Sequence, residues 1–165
     1  MTQPLKQLHI DWLLSRDVSR CAIIEPWHIG IAHGRKSKSG IFEEDLEGPA
    51  WFVFADERDI VYWNPKDGAI ACDTGRAFAL GEYLIDDPSV TAFDRYLNIY
   101  AAPLHWLQNE RRGLVVLNWS LAFDKLRDVS RIAVVEQLLP IYRKMMRPQH
   151  MPILAVLPKA ERRAA

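Results

Sequence analysis

Three cations and two glycines lie close together in residues 34–40, Gly-Arg-Lys-Ser-Lys-Ser-Gly. The side chains and backbone amides of such a loop can wrap a phosphate or another anion. The loop is not that of the nucleoside triphosphatases, because Gly40 is followed by Ile41 rather than by Lys and Ser or Thr. Four acids follow in residues 43–47. We therefore favour a solvated hairpin whose two arms offset each other's charge, with anion or nucleic-acid binding as the alternative.

Two histidines, His28 and His33, flank this loop. Five positions apart on a strand, they would point to opposite faces and could not share a metal ion without a bulge. The other histidines are isolated, and neither His-x-x-x-His nor Cys-x-x-Cys occurs. We therefore expect no metal and no cofactor, and a zinc site assembled only in space is the alternative.

One serine has the surroundings of a catalytic nucleophile. Ser120 follows a predicted buried strand and precedes a predicted helix, but it lacks the flanking glycines that a nucleophile elbow needs. Helix capping explains it more simply. The paired acids Asp86 and Asp87 are interpreted as a helix start, where the dipole favours negative charge. No complete catalytic constellation emerges from these residues.

The aromatic residues include six tryptophans. Tyr62 and Trp63 precede the turn at residues 64–68 and alternate in direction along a strand, so one of them is expected to face solvent. An exposed Trp beside Arg or Lys would be an interface anchor or a base-stacking platform. Trp12, by contrast, lies on an apolar helical stripe and is interpreted as core.

The hydrophobic pattern changes period along the first half of the chain. A helical period runs to about Arg16, with Thr2 as the expected cap. A strand-like pattern then follows, with turn signals between the runs. The predicted strands are residues 21–25, 27–33, 50–55, 60–63 and 70–73. Together they indicate an antiparallel meander, which we expect to curl.

The second half of the chain is predicted to be mixed. Residues 75–85 are ambiguous between helix and strand, and a buried strand is expected at 113–119. Four helices are predicted. The first starts at 86–89 and has Phe93, Leu97 and Tyr100 on one face, and the others are residues 103–109, 121–127 and 130–146. A final strand is predicted at 152–157. The fold class is α+β, with a single domain over residues 1–158 and a frayed tail over 159–165.

One pentapeptide occurs twice. Arg-Asp-Val-Ser-Arg stands at residues 16–20 and again at 127–131, each time after a predicted helix. The flanking sequences do not extend the match, so no duplicated domain is inferred. We expect both copies to form the same turn, with Asp and Ser binding nearby backbone amides.

The charge balance, the cysteines and the lengths of the apolar runs bear on the class of function and the location of the protein. Basic and acidic residues number 21 each, and the pI is about 7.0, which argues against general binding to nucleic-acid phosphates. Cys21 and Cys72 lie in apolar stretches and are interpreted as buried, reduced thiols. No stretch approaches the roughly 20 apolar residues of a membrane span. A cytosolic protein without membrane association is the expectation.

Three segments carry a resemblance: residues 75–82 (GRAFALGE), 102–107 (APLHWL) and 112–117 (RGLVVL). Residues 50–135 resemble small proteins of alphaproteobacterial prophages and integrative or conjugative elements. No catalytic motif or assigned activity comes with that group. The resemblance implies only a genetic context, an accessory gene of a mobile element near replication or conjugation functions.

The sequence favours a non-catalytic accessory module that binds a partner. The first expectation is a protein partner, and local contact with a nucleic acid or a phosphate is the second. The candidate binding face comprises His28, His33, Arg35, Lys36, Lys38, Trp63 and Arg76. One alternative is a small metal-dependent hydrolase or nuclease-like enzyme, with a site assembled from His28 or His33 and acids of residues 43–47. Another is a structural component of a larger assembly.

Overall fold

A computed structural model describes residues 2–56 and 58–147 of the 165-residue chain. It shows an α+β fold, as predicted. The described helices are α1 (Gln7–Leu14), α2 (Arg20–Ile24), α3 (Pro103–Gln108), α4 (Ala122–Leu126) and α5 (Leu139–Met145). The described strands are β1 (Gln3–Pro4), β2 (Gly30–Lys36), β3 (Phe42–Glu44), β4 (Ala50–Ala55), β5 (Ile60–Trp63), β6 (Ile70–Cys72), β7 (Ala79–Leu80), β8 (Leu97–Ile99), β9 (Val115–Val116) and β10 (Ile132–Val134). The strand predicted at 152–157 and the tail lie outside the described residues.

Strands β1 to β6 form one antiparallel sheet, with the order β1-β2-β4-β5-β6 and with β3 also paired to β2. A backbone bridge joins Ile41, just before β3, to Cys72 in β6, and the Cys72 amide donates to the Gly40 carbonyl at 3.1 Å. This contact connects the two ends of the sheet. The sheet is therefore curled, as the meander pattern led us to expect.

The two faces of the sheet bury different clusters, because successive side chains alternate along a strand. One face carries Phe42, Trp51 and Tyr62, and the rings of Phe42 and Tyr62 are stacked with centroids 3.8 Å apart. A Cβ at Gly34 would come within 2.4 Å of the Phe42 ring, so only glycine fits there. The opposite face, with Phe52 among its residues, packs against helices α1, α2 and α3.

The N-terminal segment differs from the prediction in two ways. Helix α1 begins at Gln7 rather than near Thr2, because β1 pairs with Gly30 and Ile31 of β2. The strand predicted at 21–25 is wrong, since residues 21–24 lie in α2 and Glu25 follows as its C-cap. The Ser19 hydroxyl caps α2 by accepting from the Ala22 amide at 3.1 Å. A short apolar run without clear periodicity does not separate strand from helix.

The second half of the chain surrounds a second core built on Phe78, Leu97, Ile99, Leu114 and Leu126. The helix predicted at 103–109 is confirmed as α3. The helix predicted from Ser130 to Met146 is wrong over its first half, where β10 pairs in parallel with β8.

Two smaller predictions in this half are also wrong. Leu97 lies in β8, and Phe93 is 92% exposed, so neither belongs to a helix face with Tyr100. Ser120 does not cap a helix from its own side chain. Instead, the Asn118 side chain accepts from the Ser120 amide at the start of a 3₁₀ turn.

Candidate functional site

The hairpin formed by β2 and β3 contains three of the predicted site residues, Arg35, Lys36 and Lys38. Arg35 lies opposite Glu43 across the two strands, with Nε 3.7 Å from its carboxylate, and Nη2 is 4.0 Å from the Asp45 carboxylate. Lys36 and Lys38 are exposed. The two arms therefore place opposite charges side by side, as the favoured interpretation of this segment predicted.

The other predicted residues lie in different environments. Nδ1 of His33 is 3.0 Å from the Gly48 carbonyl, whereas the exposed His28 lines a groove beside α2. Arg76 is exposed, and its amide donates to Asp59 at 2.7 Å.

The prediction that Tyr62 or Trp63 faces solvent is wrong. The two residues are only 6% and 4% exposed. One side of the strand faces the curled interior and the other is covered by α1, so Trp63 belongs to the core rather than to a binding face.

Helix α1 has a groove on each side. The first, of about 580 Å³, lies between α1, α2 and β1 and is mainly aliphatic, with Ile10, Ile23 and Ile24 in its wall and His28 at its rim. The second, of about 460 Å³, lies between α1 and the sheet. We call the second one the aromatic groove; it is lined by Leu8, His9, Trp12, Arg16, Ile31, Ala50, Phe52, Pro65 and Lys66.

Trp12 is the centre of the aromatic groove. Its ring centroid is 5.7 Å from that of Phe52 and 6.3 Å from that of Trp63, so the core fixes its position. The Arg16 guanidinium lies over the Trp12 ring, 5.2 Å from the centroid. Leu8, one turn earlier on α1, is 75% exposed. The groove thus presents a fixed aromatic ring, an exposed aliphatic side chain and a stacked cation.

The charges along the aromatic groove are all basic. Its described lining includes His9, Arg16 and Lys66, and no acidic residue is among the lining residues that the structure describes. Burial lowers the pKa of His9, and the positive charges of Lys6 and His33 lower it further. Arg16 and Lys66 therefore supply the positive charge of the groove, which favours a negatively charged partner.

Sequence reasoning missed this site. The helical stripe predicts that Trp12 belongs to the core, and the structure shows that the same ring is also partly accessible. The spacing of Trp12 and Arg16, four positions apart, could have predicted their stacking. Residues at that spacing are neighbours on a helix, and Arg commonly stacks on Trp.

Within residues 2–56 and 58–147, no three His, Cys, Asp or Glu side chains form a group that could hold a metal ion. Over the same ranges, no helix is long and apolar enough to cross a membrane. No family model, curated protein or solved structure matches this chain.

Proposed function

We propose that this protein is a non-catalytic binding module that takes an acidic protein segment with an apolar anchor residue into the aromatic groove. The observation that carries the proposal is the combination of Trp12 and Leu8 with the basic residues Arg16 and Lys66 in one groove. Partly exposed Trp and Arg side chains are the residue types that dominate binding energy at protein interfaces. The basic rim supplies the charge complementarity that orients an acidic partner.

A protein partner suits the charges better than a nucleic acid does. Binding to a phosphate backbone draws on many cations, whereas this chain has a net charge of zero and the described lining of the groove contributes Arg16 and Lys66, besides His9 with its lowered pKa. Most of the remaining lining is apolar, and an apolar side chain from a partner would bury it. The resemblance to mobile-element proteins supports an accessory role in that context as part of the same proposal.

Fluorescence polarisation with labelled peptides tests the proposal. The peptides, about 12 residues long, carry Asp and Glu around a central Leu-Trp pair, and a matched set replaces each acid by its amide. We expect the acidic set to bind at least about tenfold more tightly than the amide set. Labelled oligothymidine serves as the nucleic-acid probe.

Charge reversal locates the site. In the variant Arg16→Glu/Lys66→Glu, affinity for the acidic peptides should fall by at least about tenfold, since both changes place like charges against the ligand. Lys36→Glu/Lys38→Glu is the matched control, because it makes the same change of charge on the hairpin. Equal losses in the two variants, no preference for acidic peptides, or tighter binding of oligothymidine would each contradict the proposal.

A further inference from the structure

Arg111 is a buried cation with part of its hydrogen-bonding capacity unused. The residue is 3% exposed, and its Nη1 donates to the Trp27 carbonyl at 2.9 Å. Its Nε and Nη2 are buried and have no hydrogen-bond partner among the described residues. A buried charge without a full set of partners is costly to the folded state, so this arrangement calls for a functional explanation.

Aromatic rings surround the guanidinium. Its central carbon lies 5.5 Å from the centroid of Trp106 and 6.0 Å from that of Phe54. Tyr83 is close enough to interact electrostatically, and its ring meets that of Trp27 edge-on at 5.5 Å. Burial lowers the pKa of Arg111 to about 10, so the side chain still carries its charge at neutral pH.

The backbone holds Arg111 in this position at a conformational cost. Glu110 and Arg111 both have positive φ, 54° and 57°, which is uncommon for residues other than glycine. The Arg111 amide donates to the Trp106 carbonyl at 2.9 Å, and the Trp106 indole donates to the Gly113 carbonyl at 2.8 Å. Strain of this kind persists where the surrounding contacts over-determine it, and it is concentrated at ligand clamps and active sites.

The unused edge of the guanidinium defines the ligand chemistry. Nε–H and Nη2–H are parallel donors, and their spacing matches the two oxygens of a carboxylate. In an apolar surrounding, one negative charge balances the one positive charge, whereas a dianion would leave a net charge buried. We propose that Arg111 binds the carboxylate of a small aromatic acid, with the rest of the ligand against Trp27 and Tyr83.

The ligand would reach Arg111 from the side of Trp27. This residue is 36% exposed and stands in the exposed segment 24–28. Its carbonyl accepts from Nη1 of Arg111 and its ring meets that of Tyr83, so Trp27 is a solvent-accessible residue in direct contact with the guanidinium. The site is separate from the aromatic groove, and neither proposal depends on the other.

Nuclear magnetic resonance of the ¹⁵N-arginine-labelled protein tests the site directly. During titration with benzoate, we expect the Nε–H resonance of Arg111 to shift saturably, and benzamide, which lacks the charge, should leave it in place. The assignment of that resonance comes from its loss in Arg111→Met. Absence of a saturable shift, an equal shift with benzamide, or a stronger response to inorganic phosphate would overturn the proposal.

Thermal unfolding supplies the second measurement. Benzoate at a hundredfold excess over its dissociation constant should raise the Tm of the unmodified protein by about 5 to 10 °C. The rise should vanish in Arg111→Met and persist in Arg112→Met, which removes the neighbouring exposed arginine and its pairing with Glu110. An equal rise in both variants would assign the effect to another site. If Arg111→Met does not fold, Arg111→Lys, which keeps the positive charge, supplies the assignment, and the titration of the unmodified protein decides.

Discussion

Asp59, just before β5, and Arg111, after α3, are both almost completely buried, and their charges are balanced in different ways. One carboxylate oxygen of Asp59 accepts from the amides of Ile60 and Thr74, each at 2.9 Å. The other accepts from the amides of Arg76 at 2.7 Å and Ala77 at 3.2 Å. The Arg111 side chain donates one hydrogen bond, from Nη1, among the described residues.

The Asp59 charge is satisfied by the backbone, whereas the Arg111 charge keeps unused donors. Burial alone would raise the pKa of Asp59, but hydrogen bonds from Thr74, Arg76 and Ala77 outweigh it and lower that pKa. Asp59 therefore connects β5 to the segment that leads into β7. Around Arg111, aromatic rings supply only part of the compensation, and two donors remain to bind something else.

Removal of the Asp59 carboxylate should have the largest effect. Asp59→Ala leaves the amides of Thr74, Arg76 and Ala77 without their acceptor, and we expect it to lower the free energy of unfolding by at least about 3 kcal/mol. Urea denaturation measures this. Asp67→Ala is the control, because Asp67 is exposed and accepts from the Ala69 amide within a turn. If the two variants lose equal stability, the hydrogen bonds of Asp59 to the amides of Thr74, Arg76 and Ala77 do not stabilise the fold more than an exposed turn does.

Acid should weaken the same connection. Because the pKa of Asp59 is lower in the folded state, its contribution is present above the unfolded carboxyl pKa of about 3.9 and is lost as the pH falls through the lower folded pKa. The free energy of unfolding, measured by urea titrations from about pH 6 to about pH 2, should therefore fall less steeply in Asp59→Asn than in the unmodified protein. Parallel curves would show that other carboxylates carry the acid sensitivity.

Replacement of Arg111 should have the smallest effect on stability. Arg111→Met removes a buried charge and keeps most of the apolar volume, so the lost ring contacts and single hydrogen bond are offset. We expect the free energy of unfolding to change by less than about 1 kcal/mol in urea denaturation without benzoate. A loss as large as that of Asp59→Ala would make Arg111 a structural link between α3 and the segment around Trp27.

The repeated pentapeptide shows where local sequence stops being sufficient. In the first copy, Asp17 has a φ of 60° and Ser19 caps α2. The second copy leads instead into β10, which pairs with β8. The expectation that both copies form the same turn is wrong. The same five residues take different structures because the chain after each copy packs differently. Residues after the first copy pack as helix α2, whereas residues after the second copy reach the open edge of β8.

The candidate sites also differ in whether they are built from residues that are close in sequence or distant in sequence. The hairpin could be predicted because its cations and acids are close in sequence, and their pairing is a local consequence of strand register. The aromatic groove depends on α1 lying across the sheet, which leaves one side of Trp12 accessible. The environment of Arg111 joins Trp27, Phe54, Tyr83 and Trp106, which are distant in sequence. No pattern along the chain indicates that they meet.

Local periodicity, turn residues and nearby opposite charges are enough to predict the α+β class, strands β4 and β5, helix α3 and the charge balance of the hairpin. Long-range packing settles whether residues 21–25 and 132–134 form helix or strand, which tryptophans remain accessible and which arginine is buried. Those outcomes depend on the strand edges and faces that remain free once the rest of the chain has folded. Contacts between residues distant in the chain supply the free energy that overrides weak local preference.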